Sequence, residues 1–188
     1  MISKTITVIG MGYVGVTTVA ILANSGFKVY ALETNPSRLA ALKSGKSFFY
    51  ERSLEPLLGK ALRAGNLLVT DSYKEAIPKS SIVFSCVGTP DNPDGSSNLN
   101  YVFSAASSTL EAATGDLIFV QKSTVPVGTG MHLQESMKTS PHTISYVSNP
   151  EFLREGCALV DSIWPDRVVV GSDDDVASTQ ILNLYKEV

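Results

Sequence analysis

Three glycines near the start of the chain have the spacing of a turn that holds a phosphate group. The run reads Gly10-Met11-Gly12-Tyr13-Val14-Gly15. Gly10 permits a tight turn, Gly12 lets backbone N–H groups approach a pyrophosphate, and Gly15 allows a helix to pack closely on a strand. The anion would lie at the helix N-terminus, beside Tyr13 and Val14, where unpaired N–H groups and the helix dipole favour negative charge. This pattern predicts a dinucleotide site.

A carboxylate follows the glycine turn at the distance expected for contact with a ribose. Glu33 lies about 20 positions beyond Gly10, where an acidic residue binds the ribose hydroxyls and repels a 2′-phosphate. The predicted cofactor is therefore NAD rather than NADP. In the alternative interpretation, Glu33 is an exposed acid that caps the next helix, since Asn35 and Pro36 read as an N-cap and a first helical residue. Arg38 keeps NADP open, although it lies inside that helix and is expected to be solvated or near the adenine.

The segments around these residues alternate between strand and helix. Ser81 to Val87 is a continuous apolar run, typical of a strand buried on both faces of a parallel sheet. Such alternation predicts an α/β fold of the Rossmann type, with a doubly wound, mostly parallel sheet and helices on both faces. We predict strands at 5–9, 28–32, 67–70, 81–87, 116–121, 143–148 and 167–170, and helices at 14–25, 36–43, 54–64, 72–77, 101–113, 129–138 and 173–188.

Four loops follow the predicted strands. Ligands of open α/β sheets bind at the carboxyl ends of the strands, so one shared cleft would collect these loops. They are Gly10 to Gly15, Gly88 to Pro90, Ser123 to Thr129 and Asn149 to Gly156.

Composition limits the class of protein. The chain has 188 residues, enough for one domain, and its 15 basic and 18 acidic residues give a net charge of −3, which argues against a general nucleic-acid binder. No apolar run is long enough to cross a bilayer. Met1 to Lys4 lead directly into the first strand without a signal-peptide pattern. We therefore expect a cytoplasmic protein whose two cysteines are reduced thiols, with no metal site.

The motifs together resemble the N-terminal half of the nucleotide-sugar dehydrogenases, the UDP-glucose/GDP-mannose dehydrogenase family. The matching segments are Gly10 to Gly15, Cys-Val-Gly-Thr-Pro at 86–90, Lys-Ser-Thr-Val-Pro-Val-Gly-Thr at 122–129, Ser-Asn-Pro-Glu-Phe-Leu-Arg-Glu-Gly at 148–156 and Pro-Asp-Arg-Val-Val-Val-Gly at 165–171. The resemblance implies oxidation of the C6 hydroxyl of a nucleotide-linked sugar, such as UDP-glucose, GDP-mannose or a UDP-N-acetylhexosamine, to a carboxylate for polysaccharide precursor synthesis. Two NAD+ are consumed; a cysteine traps the aldehyde as a thiohemiacetal, and water then cleaves the resulting thioester.

The resemblance also implies roles for individual residues. Thr124 and Glu151 match the active-site threonine and glutamate that hold and activate the hydrolytic water. In the alternative interpretation, Thr124 caps the following helix, which is compatible with a catalytic role. The alternative for Glu151 is an acidic loop residue without a catalytic role. The segment that wraps the sugar nucleotide matches Phe152, Leu153, Arg154 and Glu155, where Arg154 pairs either with a phosphate or with a surface acid. Loops on the cofactor side match Val87, Gly88, Thr89, Pro90, Ser123 and Thr124, and Glu155 is also expected near the cofactor.

Neither cysteine matches the nucleophile of the family, which lies in a Gly-rich Cys-Phe-Pro-Lys-Asp-type motif that is absent here. Cys86 and Cys157 are expected to be packing residues. The lysine and asparagine that the family places on a central helix are absent as well. We therefore expect residues 1–188 to form the NAD-binding N-terminal domain of a longer enzyme, inactive alone and homodimeric at full length, with the helix from about 173 leading toward the central helix.

Two departures from the family pattern bear on substrate preference. Asn98-Leu99 stands where Asp-Leu is usual, and Phe48-Phe49-Tyr50-Glu51 stands where Pro-Ile-x-Glu is common. Two other functions stay open. A two-electron hydroxyacid dehydrogenase of the 6-phosphogluconate type would need no cysteine, and a non-catalytic NAD-binding module would need no nucleophile at all.

Overall fold

The structure, a computed structural model, describes residues 5–188 and is built on one six-stranded sheet. The strands are β1 Thr5–Ile9, β2 Lys28–Leu32, β3 Leu67–Thr70, β4 Ile82–Ser85, β5 Leu117–Gln121 and β6 Ile144–Ser148. All neighbours pair in parallel, in the order β3-β2-β1-β4-β5-β6. This is the doubly wound order of a Rossmann-type sheet, so the predicted fold is confirmed. The prediction for Met1 to Lys4 falls outside the described residues.

Helices cover both faces of the sheet. They are α1 Tyr13–Asn24, α2 Pro36–Lys43, α3 Leu54–Arg63, α4 Tyr73–Ala76, α5 Asn100–Ala112, α6 Thr129–Met137, α7 Ala158–Ile163 and α8 Asp175–Lys186, with a 3₁₀ turn at Ile77–Lys79. One core packs under α1, α2, α3, α7 and α8, and the other packs under α4, α5 and α6. Among the described residues, no helix is long and apolar enough to span a membrane.

The two cores explain why the central strands are buried at nearly every position and mostly apolar. Successive side chains of a strand point to opposite faces. Ile82 and Phe84 of β4 therefore enter the first core, while Val83, between them, enters the second. A strand covered on both faces has no position left for a solvated side chain, and this is the pattern that the sequence shows at 81–87.

The predicted seventh strand at 167–170 is wrong. Only one antiparallel bridge forms there, between Ser148 and Gly171. The carbonyl of Val169 accepts a hydrogen bond from the side-chain amide of Asn149 at 2.8 Å, and the Arg167 guanidinium lies 4.3 Å from the centre of the Phe152 ring. These contacts with the loop after β6 take the place of a ladder of strand bonds.

Two further features of the 149–171 segment differ from expectation. A short helix, α7, forms in a stretch for which no element was predicted. Cys157 precedes this helix and is exposed, so the prediction that it packs in the interior is wrong, whereas Cys86 is buried as expected. Gly156 has a φ of +81°, and this left-handed turn carries Cys157 out to the surface.

Candidate active site

The backbone of the glycine turn explains two of its three glycines. Gly10 has a φ of +86°, and a Cβ there would lie 2.9 Å from the backbone of Val87. A Cβ on Gly15 would lie 1.9 Å from the carbonyl oxygen of Gly10. A Cβ on Gly12, by contrast, would meet nothing within 4 Å. Gly10 and Gly15 are thus required by the fold, and Gly12 leaves open the space in front of the α1 N-terminus.

Glu33 is a buried carboxylate that joins three elements. It is 7% exposed, its Oε2 accepts from the Met11 backbone N–H at 3.0 Å, and its Oε1 accepts from the Asn35 N–H at 2.8 Å. The α2 N-terminus is capped by Asn35, whose Oδ1 accepts from the N–H groups of Ser37 and Arg38. Glu33 is therefore not the exposed helix cap of the alternative interpretation.

A cleft of about 1180 Å³ opens at the carboxyl ends of β1, β2, β4 and β5. It brings together twelve of the fourteen residues predicted to bind the cofactor, because the four strand ends converge at one edge of the sheet. These residues are Gly10, Gly12, Tyr13, Val14, Glu33, Arg38, Val87, Gly88, Thr89, Pro90, Ser123 and Thr124. Gly15 lies beneath the turn, and Glu155 lines neither this cleft nor the second cavity described below.

The opposite wall of the cleft comes from residues that sequence reasoning missed. Tyr101, Ser104, Ala105 and Ser108 line it from one face of α5, and Tyr73 lines it from α4. The four α5 residues have the i, i+3, i+4, i+7 spacing of one helix face, a pattern that can be read from the sequence. Burial, together with the nearby Glu33 carboxylate, raises the pKa of Tyr73 to about 12.

The loop after β4 and the loop after β5, which line the cleft away from Glu33, are hydrogen-bonded to each other. The Ser123 hydroxyl donates to the Val87 carbonyl at 2.6 Å, and the Thr89 hydroxyl donates to the Thr124 carbonyl at 3.1 Å. Thr124 itself is exposed at the cleft edge. Since α6 begins only at Thr129, after Gly128, the interpretation of Thr124 as a helix cap is wrong.

Glu151 stands between the cleft and a second cavity. Its Oε2 accepts from the Leu153 backbone N–H, which fixes the carboxylate. The second cavity, of about 390 Å³, is lined by Phe152, Leu153 and Arg154 and by residues of α1, α7 and α8. Among the described residues, Glu151 alone lines both spaces.

A buried ammonium group lies on the floor of the second cavity. Lys122 is 8% exposed, and its Nζ donates to the Tyr185 hydroxyl at 3.0 Å and to Asn149 Oδ1 at 3.4 Å. The nearby Cys86 thiol is buried, and burial raises its pKa to about 12 although the Lys122 charge acts in the opposite direction. A thiol of this pKa is protonated at neutral pH, which disfavours attack by its sulfur.

Arg154 is paired with an acid of its own chain. Its Nη2 lies 2.6 Å from Asp161 Oδ1, and its Nε and backbone N–H both donate to Asp161 Oδ2. These bonds lower the pKa of Asp161 to about 2. The structure therefore shows the ion-pair alternative for Arg154. No group of three or more His, Cys, Asp or Glu side chains suited to a metal ion occurs within residues 5–188.

Comparison with known proteins decides the family. The family model for the UDP-glucose/GDP-mannose dehydrogenase family, NAD binding domain, matches residues 4–188. The chain belongs to this family. NAD is thus the cofactor of this domain. The residues fit it: the cleft is long, and Gly12, before α1, has no side chain to occupy the first N–H groups of the helix.

Members of the family match over nearly the whole chain. The UDP-glucose 6-dehydrogenase of Rhizobium meliloti (strain 1021) is 40% identical over 171 residues, which cover 89% of this chain and 39% of that protein. A UDP-glucose dehydrogenase structure from the hyperthermophilic archaeon Pyrobaculum islandicum is 40% identical, with a TM-score of 0.91, and the match covers 97% of this chain and 44% of that one. A GDP-mannose dehydrogenase structure from Pseudomonas aeruginosa is 28% identical, with the same TM-score of 0.91 and the same coverage of 97% and 44%. The chain spans about two fifths of the length of these relatives.

Proposed function

We propose that this chain is the NAD-binding N-terminal domain of an NAD-dependent nucleotide-sugar 6-dehydrogenase. The enzyme oxidises the C6 hydroxyl of UDP-glucose, or of a related GDP- or UDP-linked sugar, to the uronic acid in two hydride transfers. The position of Glu151 carries this proposal. Glu151 lines both the dinucleotide cleft and the second cavity, so one residue borders the spaces proposed for cofactor and substrate.

In this proposal the pyrophosphate rests on the N-terminus of α1 in front of Gly12, and Glu33 binds the adenosine ribose. The bonds from Met11 and Asn35 do not prevent that role, because each oxygen of an ionised carboxylate has a second lone pair for a ribose hydroxyl. Arg38 lies at the adenine end of the cleft. When bound, NAD+ accepts the hydride, and the loops of Val87 to Pro90 and Ser123 to Thr124 hold the nicotinamide end.

Glu151 and Thr124 act on water in the hydrolytic half of the reaction. The Glu151 carboxylate takes a proton as water attacks the acyl carbon, and the exposed Thr124 hydroxyl orients that water. The acyl group would be held by a cysteine elsewhere in the whole protein. Cys86 is buried and protonated, and Cys157 is exposed but lines neither cavity.

The nucleotide sugar would lie along the loop after β6. Phe152, Leu153 and Arg154 line the second cavity next to Glu151, and their backbone groups would contact the substrate. The Arg154 guanidinium is bonded to Asp161 through Nη2 and Nε, so it would bind a substrate phosphate only through its remaining N–H groups. Glu155 is exposed and would close over the ligands from outside. We place the full-length enzyme in the cytoplasm, as a homodimer. Size-exclusion chromatography with light scattering tests the oligomeric state.

The stoichiometry of reduced cofactor tests the proposal. The full-length protein, incubated with NAD+ and limiting UDP-glucose, GDP-mannose or a UDP-N-acetylhexosamine, should form two NADH for each uronic acid with one of these sugars. One NADH per product, formed from a hydroxyacid, would instead establish the two-electron dehydrogenase. NAD binding without turnover of any sugar nucleotide would establish a non-catalytic module.

A further inference from the structure

Tyr13 links the glycine turn to the loop after β6. Tyr13 is the first residue of α1 and lines the dinucleotide cleft, but its hydroxyl points away from the turn. The hydroxyl donates to the Arg154 carbonyl at 2.7 Å and lies 3.1 Å from Glu51 Oε2. One side chain of the phosphate-binding turn thus touches the segment that we propose for the nucleotide sugar.

Glu51 holds the same segment at a second point. It is 6% exposed, and its Oε1 accepts from the Leu159 backbone N–H at 3.4 Å. Its two oxygens therefore join Tyr13, on one side, to the start of α7, on the other. Glu51 thereby ties the start of α7 to the helix that begins at the glycine turn.

A row of aromatic rings fastens Glu51 to the adenine end of the cleft. The Phe49 ring lies 4.8 Å from the Tyr13 ring, the Phe48 ring lies 5.0 Å from Phe49, and the Arg38 guanidinium lies 4.4 Å from the centre of Phe48. Residues 48–51 form a strap that touches the cleft at Arg38 and at Tyr13. A ligand that spans the cleft would press on both ends of this strap.

The Tyr13 hydroxyl has two alternative acceptors for a single proton. Burial, then Glu51, raises the pKa of Tyr13 to about 12, while the backbone of Gly156 and Ala158 acts in the opposite direction. The proton is therefore present throughout the neutral range. The hydroxyl can donate to the Arg154 carbonyl or to the Glu51 carboxylate, so one donor serves both the loop after β6 and the strap.

We propose that Tyr13 and Glu51 are positioning residues that couple occupancy of the dinucleotide cleft to the conformation of residues 152–159. A ligand in the cleft would contact Tyr13 and further stabilise its existing bonds to the Arg154 carbonyl and to Glu51, and through them the start of α7. The consequence for substrate rests on the function proposed above: because coupling between two sites is reciprocal, NAD and a nucleotide sugar would each favour binding of the other. The coupling itself does not require a sugar.

Hydrogen–deuterium exchange of the 188-residue chain, with and without NAD+, tests the coupling. NAD+ should slow exchange within residues 152–159 by roughly 2- to 10-fold, the range that one hydrogen bond contributes. At NAD+ concentrations that saturate each variant, Tyr13→Phe should lose this NAD-dependent slowing, and Glu51→Gln should reduce it. The matched control is Tyr50→Phe, which removes a hydroxyl from a ring that is 85% exposed in the same strap and should retain the full effect.

Comparing exchange with and without NAD+ separates coupling from a general loss of stability in the variant. A general loss of stability would raise the exchange rate of residues 152–159 equally in the NAD-bound and NAD-free states. Undiminished slowing in Tyr13→Phe, or NAD binding by the unaltered chain with no change at 152–159, would overturn the proposal. If Tyr13→Phe does not fold, Glu51→Gln decides by the same measurement, and full slowing in that variant overturns the coupling. Slowing that depends on Tyr13, in a chain whose full-length protein neither binds nor oxidises a sugar nucleotide, would support the coupling and refute the proposed function.

Discussion

Glu33 at the end of β2 accepts a hydrogen bond from the Met11 backbone N–H at 3.0 Å, inside the glycine turn of the preceding strand. The carboxylate therefore holds the phosphate-binding turn in place before any ligand arrives. Its second oxygen is bonded to the Asn35 N–H, so the start of α2 is fixed relative to the same turn. The side chain that we propose to bind the ribose therefore also stabilises the turn.

The first prediction concerns cofactor choice. The chain should bind NAD(H) more tightly than NADP(H) by about 1–3 kcal/mol, because a 2′-phosphate would face the Glu33 carboxylate and disturb its bonds. Calorimetric titration with both cofactors measures the difference. Equal affinities would remove Glu33 from the ribose site.

Two glycines provide a matched pair for separating fold from binding. Gly15→Ala should destabilise the chain by about 1–3 kcal/mol or more, since its Cβ would lie 1.9 Å from the Gly10 carbonyl oxygen. Gly12→Ala, whose Cβ would meet nothing within 4 Å, should keep its thermal midpoint but bind NAD+ more weakly, because the methyl group projects into the cleft. Thermal unfolding and calorimetry distinguish the two. A destabilised Gly12→Ala that binds NAD+ normally would contradict this account.

The 188-residue chain alone should not oxidise UDP-glucose or GDP-mannose. Cys86 is buried with a raised pKa, and Cys157, though exposed, lines neither cavity. Absorbance of the reduced cofactor, followed with each sugar nucleotide and NAD+, measures this. Sustained turnover that is abolished by Cys157→Ala would show that the nucleophile has been misassigned.

In the full-length enzyme, Glu151→Gln should slow release of the acid more than the first hydride transfer. Glutamine keeps the shape of the side chain but cannot accept a proton from water, and loss of a general base typically costs ~10²–10⁴-fold. A cysteine-linked thioester should then accumulate, which mass spectrometry of the quenched enzyme detects. Loss of the pre-steady-state burst of NADH, with no adduct, would mean that Glu151 acts before the thioester forms.

Acid should weaken the Arg154–Asp161 pair in a defined pH range. The pKa of Asp161 is lowered to about 2 by the Arg154 side chain and then by its backbone N–H, from about 3.9 in an unfolded chain. A depressed pKa means that the contribution of this pair to folding is complete above about pH 4 and is lost as the pH falls toward 2. The carboxyl carbon resonance of Asp161 should titrate in that lower range. In Arg154→Gln, it should move back toward the unfolded value.

Local patterns in the chain were sufficient to predict the six strands of the sheet and the glycine turn after β1. A strand buried on both faces needs a largely apolar run, and a tight turn that leads into a helix needs glycine where a Cβ would collide with the turn itself, as at Gly15 against the Gly10 carbonyl. Asn35 was likewise recognisable as an N-cap, since capping depends only on the next three residues. These features depend on near neighbours in sequence, so sequence alone determined them.

The tertiary structure decided every feature that depends on residues distant in sequence. The Tyr13 hydroxyl contacts Glu51 and the Arg154 carbonyl, and Arg154 is 141 positions from Tyr13 in the chain. No local sequence pattern predicts contacts between residues so far apart. The segment at 167–170 has the composition of a strand. In the fold, however, Val169 is bonded to the Asn149 side chain and Arg167 packs on the Phe152 ring, in place of the hydrogen bonds of a strand ladder. Whether Glu151 faces one cavity or two likewise depends on how the loop after β6 folds back over the sheet edge. Burial and hydrogen-bond partners are set by packing between distant segments, and only the assembled fold specifies them.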